Sequence, residues 1–546
     1  MRLHIFLLIS LTCLLLSCAS RPKADLLIFN AVIYTVDDNF TKAEAMVVAD
    51  GRILATGKKD SLEAIYDIRE RMDAGGKAIY PGFIDAHAHF VGYSVGLQTA
   101  DLTGTESWEE VLARVKDFAA KHPEGWIVGR GWDQNDWPTK EFPDNRELNR
   151  LFPGRPVILE RIDGHAAIAN EKALTDAGVR AGDHIAGGDI VTMNGGERLT
   201  GVLIDNAVGL VSSKIPPAGG EAMHVALKQA EANCFAMGLT TIVDCGLGFR
   251  EAEMLMKMQE KDSLRMRLYV MLSDDPANFE YLKKNGIVKT DRMHIRSIKM
   301  YGDGALGSRG ACLLKPYSDA NHSGFLLSTA AHFDSVARFA SQHNIQLCTH
   351  AIGDSANRII LSTYEKYLAA GNDRRWRIEH AQVVNERDFA TFGRIDVIPS
   401  VQPTHATSDM YWAGVRLGEE RVKGAYAYRQ LMEQNGWLPL GTDFPVEDIS
   451  PFKTFYAAVI RKDAKGWPEE GYQKENALTR EQALRGMTIW AARGNFEERE
   501  KGSLEKGKLA DFIILDQDLL TATEDTILKT KVLKTFIGGR LVYARK

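Results

Sequence analysis

Seven residues constrain this chain more than any others: Phe83-Ile84-Asp85-Ala86-His87-Ala88-His89. Pro81-Gly82 punctuates the end of a preceding element, and Phe83 to Ala86 is a short run of the kind that enters a buried strand. Two histidines then sit at i and i+2. Side chains alternate faces along a strand, so His87 and His89 point the same way and can grip one metal ion from one side. A lone histidine at a strand end is ordinarily a hydrogen-bonded surface residue. Two at period two, closing such a run after a Pro-Gly turn, read as paired ligands.

The middle of the chain supplies a frame for that strand. Apolar strands alternate with helical segments, the pattern of parallel βαβ units. After the strand ending at His89, further strands are predicted over Thr240 to Cys245, Arg267 to Leu272, Arg296 to Tyr301, Ile345 to His350, Arg375 to His380, Val397 to Gln402 and Leu438 to Asp443. Helices lie between them. Glu221 to Met237, for example, is amphipathic and stops at Gly238, a C-cap residue. Eight βα units are what a closed (β/α)8 TIM barrel of the α/β class requires. The stretch from about 101 to 217 exceeds any βα loop, and Trp126 to Trp132 and Pro156 to Arg161 look like strands of an inserted subdomain.

Both ends of the chain have a different texture. Residues 24–80 are strand-like and turn-rich, with Asp50-Gly51 marking a hairpin, and residues 503–546 repeat the pattern with a turn at Gly538-Gly539. Two β-rich ends flanking an α/β middle suggest one small β-sandwich assembled from both termini, leaving 81–502 as the barrel. The first eighteen residues differ again. Met1-Arg2 precedes an apolar run from Ile5 to Leu16, too short to span a membrane and placed as a secretory signal is. Leu15-Leu16-Ser17-Cys18 resembles a bacterial lipobox, which would make Cys18 a lipidated mature N-terminus; a plainly cleaved leader is the alternative. The chain is therefore expected in the bacterial cell envelope, facing the periplasm, and touching the membrane only through that anchor. The other cysteines, Cys234, Cys245, Cys312 and Cys348, form no C-x-x-C pair and read as buried free thiols. A net charge of −5 over 546 residues, with no long Lys/Arg run, argues against a nucleic-acid partner. Oligomeric state is left open, a homodimer included.

In a barrel of this kind function sits at the C-terminal ends of the strands. Read in order, those ends carry His87 and His89, then Lys299 within Ile298-Lys299-Met300-Tyr301, then His350, His380 and Asp443. Each alone has a dull explanation; all six together, at strand ends and in this order, point to a metal centre. The chain resembles the amidohydrolase superfamily of metal-dependent hydrolases, and within it the third amidohydrolase family, which includes the formamide deformylase-like enzymes. The segments that carry the likeness are Pro81 to His89, Ile298 to Arg309, Thr349 to Asp354, Glu379-His380-Ala381-Gln382, Gly441 to Pro445, Gly129 to Trp132, Asp163 to Ala167 and Gly502 to Asp511.

The resemblance implies a ligand set. His87, His89 and Asp443 would bind the more buried of two divalent ions, and His350 and His380 the other. Lys299 would bridge them as a carbamate formed with carbon dioxide: an ammonium cannot ligate a cation, whereas a carbamate is an anionic oxygen donor. Such ligands suit zinc, with iron or manganese as alternatives. The apolar neighbours of Lys299 are expected to lower its pKa toward the neutral amine that carbamylation needs; a salt bridge to Asp303 is the competing reading. His165, in a Gly-rich turn of the insertion, and Arg309, after the fourth strand, are candidate substrate-binding residues, with turn stabilisation and an ion pair as their bland alternatives. Trp132 and Trp412 are candidate pocket walls.

The function implied is hydrolysis of a C–N bond (amide, formamide or cyclic amide) in a small-molecule substrate, by a metal-activated hydroxide with Asp443 as general base. Two other classes remain open at this point: a non-catalytic, lipid-anchored binding protein on the same barrel, and a metal-dependent isomerase or lyase. No metal ligand of the pattern is missing, which disfavours the former.

Overall fold

The computed structural model describes residues 21–216 and 220–546. The leader and Cys18 lie outside the described residues. Among the described residues no helix is long and apolar enough to cross a membrane. The four described cysteines are free, and Cys234, Cys245 and Cys348 are buried.

The centre of the molecule is a (β/α)8 barrel. Its first seven strands are β1 (Phe83–Ala88), β2 (Leu239–Leu247), β3 (Arg267–Ser273), β4 (Met293–Tyr301), β5 (Gln346–Ala351), β6 (Arg377–His380) and β7 (Ile398–Ser400). They pair in parallel in that order, with Ile242 beside Asp85, Tyr269 beside Val243, Ser297 beside Met271, Cys348 beside Lys299, Glu379 beside His350 and Ser400 beside Glu379. Strands buried on both faces read as near-continuous apolar runs, as in the Leu-Tyr-Val-Met-Leu of β3. The helix predicted before β2 spans Gly220–Ala236, and Gly238 beyond it adopts φ +80°.

The eighth strand departs from the expectation. Residues 438–443 form no regular ladder, only a bridge between Leu440 and Val401. Closure rests on a few backbone bonds: Gly441 N–H to Val401 O at 3.0 Å, Ala86 N–H to Leu440 O at 3.2 Å and Asp443 N–H to His87 O at 2.8 Å. The cause is local. Asp443 sits in the left-handed region at φ +67°, so the chain leaves strand geometry just where its carboxylate is presented. The buried carboxyl of Asp85 adds side-chain staples across the same seam, accepting from Thr442 N–H (2.9 Å) and Thr442 Oγ1–H (2.7 Å).

The strand Asp67–Pro81 runs through Gly82 directly into β1. It belongs to an eight-stranded sheet built from both termini. Lys23–Tyr34 pairs with it in parallel on one side, and Phe512–Leu515 pairs with it antiparallel on the other. The turns at Asp50-Gly51 and Gly538-Gly539 have both residues at positive φ, the geometry of a two-residue hairpin loop. The sheet curls until those two turns meet, with Ala510 N–H bonded to Gly51 O and Gly539 N–H bonded to Ala510 O. A buried bidentate pair from Arg267, at the start of β3, to Asp511 (2.6 and 3.0 Å) ties this sheet to the barrel. Between β1 and β2 the chain builds a six-stranded sheet running from Ala100–Asp101 to Arg198–Asp205, with its own apolar core around Leu102, Val115, Trp132 and Val157.

Gly441 marks a tight point of the closure: a Cβ there would lie 2.5 Å from His87 N and 2.8 Å from His87 O, both backbone atoms, and 2.9 Å from Asp85 Oδ1. Gly441→Ala should therefore destabilise the protein by on the order of 1–3 kcal/mol, read as a lowered melting temperature. An unchanged melting temperature would mean that this seam does not carry the barrel.

Candidate metal centre

The strand ends bring the six predicted residues into one buried cluster. The rings of His87 and His380 lie 4.7 Å apart between centroids, those of His350 and His380 4.6 Å, and those of His87 and His89 5.6 Å. Lys299 is fully buried, with Nζ 3.3 Å from His87 Nε2.

Each imidazole has one nitrogen committed. His87 donates Nδ1–H to Glu379 Oε2 at 2.5 Å, His89 donates Nδ1–H to the Cys245 carbonyl at 2.9 Å, and His380 donates Nδ1–H to Gln402 Oε1 at 2.8 Å. His350 uses the other nitrogen, a long 3.5 Å contact from Nε2 to Gly304 O. The tautomers so fixed leave Nε2 of His87, His89 and His380, and Nδ1 of His350, as lone pairs. Burial pushes the rings of His87, His350 and His380 toward neutrality, assisted by the charge of Lys299. His87 falls to about 4 although Glu379 and Asp443 pull it upward, and His350 and His380 lie well below the ordinary histidine value. Neutral imidazoles are what a metal ligand must be.

Asp443 supplies the test of fit. Its Oδ1 is buried and has no hydrogen-bond donor, yet lies 3.2 Å from His89 Nε2 and 3.6 Å from His87 Nε2. With Nδ1 of both rings committed elsewhere, these three atoms face one another as electron-rich groups, the surroundings of a cation, and His87, His89 and Asp443 meet the spacing of a metal-holding trio. Burial opposes the charge on Asp443, but the surrounding imidazoles, with His405 donating to Oδ2, hold the carboxyl well below the usual carboxylate range.

His405 was not anticipated from the sequence. It lies on the short helix Pro403–Asp409 after β7, bonding Asp443 Oδ2 at 3.1 Å through Nε2 and Glu447 Oε1 at 3.2 Å through Nδ1. Burial works against its charge, yet those two carboxylates raise its pKa well above the usual value. With both nitrogens donating, His405 acts as a clamp on Asp443, although spacing alone would also admit a His380–His405–Asp443 trio. Gln402-Pro403-Thr404-His405, directly after a predicted strand, was the available signal. Glu379 was missed likewise: strand alternation would put it on the face opposite His380, but the left-handed φ of His380 breaks the alternation and both side chains meet His87 inside the barrel.

Other expectations need correction. Burial acts to lower the pKa of Lys299, but Tyr301, two residues on along the same strand, together with Cys245, Glu379 and Asp443 from other parts of the barrel, holds it raised. The residues directly before and after it are apolar; the groups its side chain meets inside the barrel are not. Asp303 is not its partner: that carboxylate accepts backbone N–H groups from Cys312, Ile352 and Gly353 at 2.8–2.9 Å. Arg309 pairs with Asp319 at 2.9 Å. Trp132 is fully buried in the core of the insertion, with Nε1–H on Leu159 O at 2.8 Å. Trp412 is also buried and stacks beneath Arg416. His165 does reach the barrel, its ring 4.9 Å from that of His350.

The profile of the Amidohydrolase family matches residues 70–543. Protein LONG AFTER FAR-RED 3 of Arabidopsis thaliana is 33% identical over 539 residues, covering 95% of this chain and 92% of that protein. N-substituted formamide deformylase of Arthrobacter pascens is 28% identical over 553 residues, covering 95% and 98%. Among solved structures, a metal-dependent hydrolase of Pyrococcus horikoshii superposes with a TM-score of 0.74 at 28% identity, covering 91% of this chain and 99% of that one. The chain belongs to the amidohydrolase family of metal-dependent hydrolases, enzymes that act on carbon–nitrogen bonds other than peptide bonds.

Glu379 fixes the tautomer of His87 from beneath. Glu379→Gln keeps the shape but removes the charge, and should weaken divalent-metal affinity about 10- to 100-fold, measured by competition with a chromophoric chelator. Affinity equal to that of the wild type would show that the His87–Glu379 pair does not tune the site.

Proposed function

We propose that this chain hydrolyses an amide-type C–N bond, in an amide, formamide or cyclic amide, at a centre of two divalent ions bridged by a carbamate on Lys299. The observation that carries this reading is the convergence of the lone-pair nitrogens of His87 and His89 on the buried, donor-free Oδ1 of Asp443, with Lys299 Nζ 3.3 Å from His87 Nε2 and the rings of His380 and His350 next in line. His87, His89 and Asp443 would hold one ion, and His350 and His380 the second. Six candidate ligands exceed what one tetrahedral ion uses, and imidazole with oxygen donors favours zinc. The full-length likeness to an N-substituted formamide deformylase supports the substrate class.

Bound divalent ions supply Lewis acidity toward a carbonyl oxygen and lower the pKa of water. The protein's own groups do the rest. Asp443 stays ionised, so it can accept a proton and return it to the leaving nitrogen. His405 pins Oδ2 and thereby turns Oδ1 toward His87 and His89. Glu379, Gln402 and the Cys245 carbonyl hold the histidine rings in one tautomer.

The leader sequence separately supports a place in the cell envelope, anchored through lipidated Cys18. Cys18→Ser should move it out of the membrane fraction of its host; continued membrane association would remove the anchor from the account.

Purified protein should contain about two zinc-type ions per chain by elemental analysis. Lys299→Ala should lose activity and part of that metal, with short carboxylic acids restoring some turnover. Asp443→Asn should lower turnover by on the order of a hundredfold or more on N-formyl and N-acyl amines, even where metal is retained. One ion per chain at full activity would refute the binuclear form, and normal turnover of the Asn variant with intact metal would move the proton elsewhere.

A further inference from the structure

The insertion places one side chain over the metal centre. His165 follows Asp163-Gly164 in a turn, and its backbone N–H is held by Asp163 Oδ1 at 3.0 Å. Two bonds join it to Asp205, the last residue of the insertion's sheet: His165 Nδ1 to Asp205 Oδ1 at 2.6 Å, and Asp205 N–H to His165 O at 2.7 Å. The ring stands 4.9 Å from that of His350 and 6.4 Å from that of Tyr301, at the end of β4. Its side chain retains 15% exposure, so it borders the opening of the barrel. With Nδ1 committed, Nε2 is the free polar atom, and it makes no hydrogen bond to any described residue.

The barrel itself is shaped to accept this device. Asp205 adopts φ +50°, in the left-handed region that costs a non-glycine residue energy. Its carboxylate sits against Gly304 and Gly310 in the loop after β4, where a Cβ at either position would overlap Asp205 Oδ2. Gly304 also supplies the carbonyl that receives His350 Nε2. One loop thus registers the insertion's dyad against a candidate metal-binding histidine. Packing alone would not require a strained residue, two glycines and a paired imidazole with its outer nitrogen free.

We propose that His165 is a further catalytic residue of this hydrolase, its Nε2 hydrogen-bonding the scissile amide group on the side of the site opposite Asp443, with Asp205 as its positioning residue. This inference rests on the metal-dependent amide reading above.

The test uses metal-loaded protein. In His165→Gln and His165→Ala, metal content and melting temperature should match the wild type while kcat/KM on N-formyl and N-acyl amines falls about a hundredfold or more. Added imidazole should restore at least a tenfold part of that loss in His165→Ala. Gly304→Ala, which displaces Asp205 without touching His165, should show a smaller loss in the same direction. Binding of acetohydroxamate, a small amide-like chelating probe, should weaken at least tenfold in His165→Gln by calorimetry. Activity within threefold of wild type together with unchanged hydroxamate affinity would overturn the proposal, as would loss of metal in step with loss of activity. A wild type that binds hydroxamate but cleaves no amide would instead overturn the substrate class, leaving the hydroxamate comparison to decide on His165. A wild type that binds no metal would remove both.

Discussion

Everything at the top of this barrel depends on where the carboxylate of Asp443 is held. Its Oδ1 faces His87 and His89, its Oδ2 is clamped by His405, and its backbone N–H closes the barrel onto His87 O at 2.8 Å. The same residue is therefore a closing bond of the fold and the centre of the site. A buried carboxylate is costly unless surrounded by donors or cations. Here one oxygen has a cationic histidine, and the other is left to a group that the chain itself does not supply. That imbalance is the physical sign of a metal site.

The arrangement around it is built in layers. Nitrogen lone pairs turn inward because the opposite nitrogen of each ring is spent on Glu379, Cys245, Gln402 or Gly304. The ring-holding partners come from β2, β6, the segment after β7 and the loop after β4, so barrel closure, rather than any local segment, orients each ring. Left-handed φ values at His380, Ala381 and Asp443 fall at the same level of the barrel. Non-glycine residues accept that backbone cost only where surrounding structure over-determines them, and here two of them present proposed ligands.

Much of this was legible in the sequence. Periodicity placed seven barrel strands within a few residues, and strand-end position selected the clustered histidines, Lys299 and Asp443. The eighth strand was located but not its irregularity, because a positive φ at an aspartate leaves no mark on the apolar pattern. Trp132 is a candidate pocket wall in the sequence, but its ring packs near those of Trp137 and Phe142 in the core of the insertion. Lys299 shows most clearly why strand context fails for electrostatics. The residues directly beside it are apolar, whereas Tyr301 two places along the strand, Cys245 on β2, and Glu379 and Asp443 from β6 and from beyond β7 hold its pKa raised. His405 escaped because it lies past a strand end on a helix, where alternation no longer says which way a side chain turns.

The central claim is that the donor-free oxygen of Asp443 and the inward nitrogens of His87 and His89 hold a divalent ion, with a second ion across Lys299. Anomalous diffraction at the zinc edge from crystals of the metal-loaded protein tests this most directly. The account predicts one peak among His87, His89 and Asp443, a second beside His350 and His380, and density for a carbamate extending from Lys299 between them. A single peak elsewhere, or an unmodified Lys299 paired to Glu379 or Asp443 with no metal beside it, would contradict it.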